Sequence, residues 1–167
     1  MERDELQRLQ LPLKERYTTD PGAAVITLHA EGRLGDEAVS CSVATGKAIV
    51  EAGLHPATGG DGTLACSGDM LLQALVACAG VTLRAVSTNR GMDVQGSVRA
   101  EGDLDFRGTL GVDRDAPVGF TDIRLSFDLR GPASDEDLDA LVRTTERYCV
   151  VLQTLARSPR IEVTRSR

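Results

Sequence analysis

The stretch from Met70 to Thr88, MLLQALVACAGVTLRAVST, constrains this chain more than any other part of it. On helical spacing Leu71, Leu75, Cys78, Thr82 and Ala85 share one face, and Leu72, Val76, Ala79, Leu83 and Val86 share the adjoining one. A helix so apolar around its circumference needs cover on several sides, which places it inside the fold. The material for that cover is narrow: aromatic residues make up 3% of the chain and Trp is absent, so Ala, Val, Leu and Ile must build the core. At 167 residues the chain can bury roughly two thirds of its unfolded surface, which predicts one core without metal or disulfide staples.

The charge balance removes two classes of partner. With 19 Lys and Arg against 25 Asp and Glu, the net charge is −6, and no basic run offers a footprint for nucleic acid or an anionic membrane surface. The first twenty residues are charged and lack an apolar signal-like core. No stretch approaches the roughly 18 apolar residues of a membrane span, so a cytoplasmic chain is expected. In a reducing cytosol each cysteine is a buried hydrophobe, a metal ligand or a redox group rather than a structural disulfide. Cys41, Cys66, Cys78 and Cys149 form no CxxC pair and no closely spaced ladder with histidine, so no metal site is expected.

Residues 1–20 read as an appended helical arm, with Leu6, Leu9, Leu11 and Leu13 set among charges, and residues 21–167 as the main domain. Ala23–His29 and Glu37–Val43 read as the strands of a hairpin whose turn, GRLGD, carries Arg33 at its tip. Residues 53–63 form a glycine-rich loop, and the central helix then stops at Arg90–Gly91. Residues 93–106 and 121–130 predict two longer strands, the second with Ile123, Leu125, Phe127 and Leu129 on a dry face. Ser134 caps a second long helix, predicted to run to about Ala156 with the stripe Leu138, Leu141, Val142, Thr145, Cys149 and Leu152. A strand from Ile161 to Thr164 is expected to close the chain.

Three groups of residues could carry chemistry. Cys78 and Cys149 lie at similar depth on the two long helices, where they are either small core hydrophobes or a redox pair. A reactive thiol needs its pKa lowered, and Arg33 is the candidate cation. GGDGT at 59–63 also occurs in NAD and lipid kinases, but there it follows a buried strand in a much larger chain; here the glycines serve a tight loop. His55 and Cys66 bracket that loop as accessory candidates, and Asp69 opens the central helix, where an acid suits the helix dipole.

The run SGDMLLQALVACAG at 67–80, followed by Glu146–Arg147–Tyr148–Cys149 and VVLQTL, resembles the OsmC/Ohr family of osmotically inducible and organic hydroperoxide resistance proteins. The resemblance extends from about Ala23 to Val163 and implies an α+β fold, OsmC-like, with antiparallel sheets wrapped around two long central helices in an intertwined homodimer. It implies that Cys78 is the peroxidatic cysteine and Cys149 the resolving one. By the same resemblance Arg33 stabilises the thiolate and Asp69, where many members carry Glu, holds Arg33. Ser67–Gly68 in place of a proline before the acid, and Val150 in place of a proline after the second cysteine, mark a divergent subgroup. Cys66 and His55 are additions near the site.

The implied activity is thiol-dependent reduction of organic hydroperoxides to alcohols through a sulfenic acid and an intramolecular disulfide. A dithiol, in the family often a lipoylated protein, would be the reductant, and no cofactor is needed. Three alternatives stand beside it: a non-catalytic OsmC-like protein that binds a small molecule at the dimer interface, resolution of Cys78 by Cys66, and a metal ion held by His55 with the cysteines.

Overall fold

The computed structural model describes residues 2–20, 32–34, 40–44, 49–111 and 113–166. Helix α1 (Arg3–Thr19) is followed by strands β1 (Gly32–Leu34), β2 (Ser40–Ala44), β3 (Ile49–Gly53) and β4 (Ala65–Cys66). Helix α2 (Ser67–Arg90), strand β5 (Gln95–Leu104), a single-turn helix α3 (Phe106–Thr109) and strand β6 (Phe120–Arg130) come next. Helices α4 (Asp135–Tyr148) and α5 (Val150–Ala156) complete an α+β fold.

Strands β1, β2 and β3 pair antiparallel, but β3 pairs in parallel with β4, so this four-stranded sheet is mixed rather than antiparallel throughout as expected. The parallel pair, Gly53 opposite Cys66, delivers the chain directly into the first turn of α2. The hairpin is shifted from its expected place: Gly32–Leu34 is strand, with Arg33 opposite Ser42, so GRLGD is not the turn. The expected strand Ala23–His29 lies outside the described residues. Strand β3 was not anticipated.

Strands β5 and β6 form the two-stranded ladder that the alternation at 121–130 predicts. Their dry faces pack on α2. One cluster joins Leu75, Ala79 and Cys149 with Val98, Ala100, Ile123, Leu125 and Phe127; another joins Leu83, Val94 and Leu141 with Val86, Leu129 and Leu138. The wet face carries ion pairs, Arg124 with Asp103 and Asp122 and Arg99 with Glu101, which at exposed positions contribute little stability. Ser134 caps α4 as expected, its Oγ accepting from the Asp137 N–H at 3.2 Å. Gly91, at φ 65°, closes α2 in the left-handed conformation.

Three further expectations are corrected. The second long helix is broken at Cys149, whose ψ of 107° turns the chain between α4 and α5. Residues 158–166 form no strand, and Ile161 and Val163 are 75% and 89% exposed, because no described segment of the chain offers them a ladder. Finally, α2 is long and apolar enough, by length and composition alone, to cross a membrane, with a mean hydropathy of 1.6 over 18 residues. A core helix passes the same test, and the stripe Leu75, Ala79, Leu83 and Ser87 is buried against the protein. On another side of the helix Val81 is 72% exposed among the described residues.

Candidate active site

The break at Cys149 is the feature from which the site is built. In a continuous helix the Val150 and Val151 N–H groups would bond to the carbonyls of Glu146 and Arg147. The turn at Cys149 withdraws them. Cys149 itself loses nothing: its N–H donates to the Thr145 carbonyl at 2.8 Å, and its carbonyl accepts from Gln153 N–H at 2.9 Å. The carbonyl of Glu146 is satisfied instead by the Gln153 side chain, Nε2 to O at 2.8 Å. The amides of Val150 and Val151 are thus free to turn toward another acceptor.

That acceptor is Cys78. It sits half-buried on α2, directly against the fully buried Cys149, and both are free thiols. Burial is the largest single influence on Cys78 and pushes its pKa up. The Val151 N–H, the Cys149 side chain, the Val150 N–H and the Thr82 side chain lie around its sulfur and favour the ionised form, and together they carry the pKa below the ordinary thiol value. Cys149 moves the other way. Burial raises its pKa, the Leu152 N–H opposes that, and its hydrogen bond to Cys78 and the repulsion of a Cys78 thiolate push it further up. Of the two sulfurs, Cys78 is the one prepared to ionise. Leu75 and Leu152, which pack in the cluster that holds the pair, also line a cleft of about 340 Å³ with Ile123, Leu125, Leu155, Thr121 and Asp122.

The remaining sequence candidates are distributed more widely. Arg33 belongs to β1, and its reach toward Cys78 or Asp69 lies outside the described residues. Asp69 is exposed in the first turn of α2. Cys66 is twelve residues before Cys78 at the start of the same helix, so the two lie about 18 Å apart along its axis, far beyond the reach of a disulfide. His55 and Cys66 instead share a separate cleft with Phe106 and Phe120. Among the described residues no group of three His, Cys, Asp or Glu side chains could hold a metal ion. In GGDGT the acid is used locally: Asp61 Oδ1 accepts from the Thr63 N–H at 2.9 Å and hydroxyl at 2.7 Å. Cys41 lies in β2 opposite Leu34 and Ala52.

Cys78 and Cys149 are both candidates from the sequence, whereas the groups that lower the pKa of the first are not. Thr82 was visible, one helical turn after Cys78. The amides of Val150 and Val151 were not, because neither glycine nor proline marks the break.

The family model described as OsmC-like protein matches residues 60–164, well over half of the chain. Among solved structures, the chain is similar to an OsmC-like protein from Mycoplasma pneumoniae, with a TM-score of 0.66 and 15% identity over 80% of this chain and 89% of that one. It is similar to an organic hydroperoxide resistance protein OsmC from Legionella pneumophila, with a TM-score of 0.59 and 15% identity over 80% and 91% of the two chains. It is also similar to the organic hydroperoxide resistance protein OhrB of Bacillus subtilis, with a TM-score of 0.53 and 18% identity over 80% and 93%. At such identities the likeness establishes the fold. No curated protein matches the chain.

Proposed function

The chain belongs to the OsmC-like protein family, and from that premise we propose that it is a thiol-dependent peroxidase that reduces organic hydroperoxides. The observation that carries this reading is the contact between Cys78 and Cys149, with only the first thiol's pKa held down. Two of the structurally similar proteins bear the name organic hydroperoxide resistance protein, which supports the same substrate class.

In the proposed cycle the Cys78 thiolate attacks the distal oxygen of the hydroperoxide. The O–O bond breaks, the departing alkoxide takes a proton and leaves as the alcohol, and Cys78 becomes a sulfenic acid. The amides of Val150 and Val151 and the Thr82 hydroxyl hold the starting thiolate. Cys149, already in contact, attacks the Cys78 sulfur; the S–S bond forms and the hydroxyl leaves as water with the Cys149 proton. A dithiol, such as a lipoylated protein, returns both cysteines to thiols by exchange. Arg33 is assigned the orientation of the peroxide, and Asp69 the anchoring of Arg33. The cleft beside Leu75 and Leu152 would receive the organic part of the substrate.

We assign the working form as a cytoplasmic homodimer. Val81, Tyr148, Val150, Ile161 and Val163 are all exposed on one chain, and a second copy would cover them.

The test is consumption of cumene hydroperoxide with dihydrolipoamide as reductant. Turnover is expected in the native protein and none in Cys78→Ser. Unchanged hydroperoxide, together with thermal stabilisation by a small apolar ligand, would replace the peroxidase with a binding protein.

A further inference from the structure

We propose that the cleft over the N-terminal end of α2 is a second site, where Cys66 captures a small apolar α,β-unsaturated carbonyl compound whose oxygen is held by His55. The cleft has a volume of about 370 Å³, which suits a small molecule, and its walls include Leu54, Leu104, Phe106 and Phe120. Beside the hydroxyls of Thr58, Ser67 and Thr109, the cleft is lined by His55 and Cys66, and the β3–β4 register brings these two together: Cys66 lies opposite Gly53, two residues before His55.

His55 is built into a fixed position. Its Nδ1 accepts from the Ala57 N–H at 3.0 Å, so in the neutral ring the proton sits on Nε2 and that nitrogen is the donor. Its ring stacks on Phe106 with centroids 5.0 Å apart and planes 15° apart. Its carbonyl takes the N–H groups of Thr58 at 2.8 Å and Gly60 at 3.2 Å, which tie down the turn. Gly60 is required there, because a Cβ at that position would lie 1.8 Å from the Leu54 carbonyl oxygen.

Cys66 is a half-buried free thiol that makes no capping hydrogen bond to α2. Its sulfur borders a space that Gly68 leaves open: a Cβ on residue 68 would lie 3.6 Å from Cys66 Sγ, 3.4 Å from Phe120 Cζ and 3.6 Å from Leu104 Cδ1. A ligand entering here meets a soft nucleophile, aromatic and leucine walls for an alkyl or aryl body, and the His55 ring as an N–H donor.

An unsaturated carbonyl compound uses all three. The Cys66 sulfur forms a bond to the β-carbon, the C=C π pair shifts to give an enolate, and Nε2–H of His55 hydrogen-bonds to the oxygen on which charge develops. The thiol proton finishes on the α-carbon, so the adduct is a thioether and nothing is oxidised or reduced overall. About 18 Å along α2 separates this site from Cys78, and the proposal stands whether or not the cysteine pair is a peroxidase.

The test treats the reduced full-length protein with 2-cyclohexen-1-one and follows alkylation of each cysteine by peptide mapping. Labelling of Cys66 is expected to saturate with probe concentration, to slow when cyclohexanone is added as a saturated competitor, and to fall at least tenfold in Gly68→Leu and several-fold in His55→Leu. A rate that stays linear in probe and is untouched by cyclohexanone would overturn the site, leaving Cys66 as a thiol that reacts by collision. The competition is measured on the native protein, so it decides the matter even if Gly68→Leu fails to fold.

Discussion

Cys78 and Cys149, on separate helices, lie side by side, and the proximity drives their thiols in opposite directions, the first pKa down and the second up. Burial opposes ionisation at both. Cys78 overcomes that opposition because the break between α4 and α5 turns the Val150 and Val151 amides toward it. A local fault in one helix thus sets the chemistry of a residue on another.

Val150→Pro tests that link with one atom. Val150 is the first residue of α5, a position where proline is well tolerated, and Cys149 already has the extended ψ that precedes proline. The substitution therefore removes the N–H and little else. Loss of a donor to a charged group removes part of what favours the thiolate, so the Cys78 pKa should rise. Iodoacetamide alkylation of Cys78 against pH would report it, and Val150→Ala, which keeps the amide, should behave as the native protein.

Thr82→Val keeps the shape of the side chain and deletes its hydroxyl. The Cys78 pKa should again rise, by less than in Val150→Pro because Thr82 contributes least of the groups that lower it. The same alkylation curve measures it. An unmoved midpoint would remove Thr82 from the site.

The pH profile of the native protein follows from the same signs. A lowered Cys78 pKa means that the thiolate persists below the range in which an unfolded cysteine titrates, and reactivity is lost only as pH falls through the folded value. Cys149, with its pKa raised, should stay protonated and unreactive to alkylation across that window. Equal rates for the two cysteines near neutral pH would contradict the assignment.

Stability should divide along the two sides of α2. Leu141→Ala empties a fully buried position and should cost about 2–5 kcal/mol in chemical denaturation. Val81→Glu lies at an exposed position and should cost little within one chain, yet it should dissociate the proposed dimer, as read by sedimentation. A native protein that sediments as a monomer would remove the dimer.

Much of this architecture was legible in the sequence where burial imposes a period. Leu75, Ala79 and Leu83 on α2, and Ile123, Leu125 and Phe127 on β6, announce their elements because each repeats a contact with the core. Ser134 announces the start of α4 by its own hydrogen bond. The break at Cys149 carries no such mark: the apolar stripe runs on from Thr145 to Leu152, and the turn is sustained by Gln153 bonding back to Glu146, a tertiary detail with no periodic signature. Ile161–Thr164 misleads for the opposite reason, since alternation predicts a strand but a strand forms only where another edge accepts it. Both candidate cysteines could be named from their context, whereas the donors that distinguish them could not.

The central claim is that Cys78 and Cys149 act as one redox unit. The direct measurement is peptide mapping, by mass spectrometry, of the reduced protein after one equivalent of cumene hydroperoxide. A Cys78–Cys149 disulfide formed in step with release of the alcohol is the predicted result. A protein that leaves the peroxide intact, or that oxidises without joining these two cysteines, would contradict it.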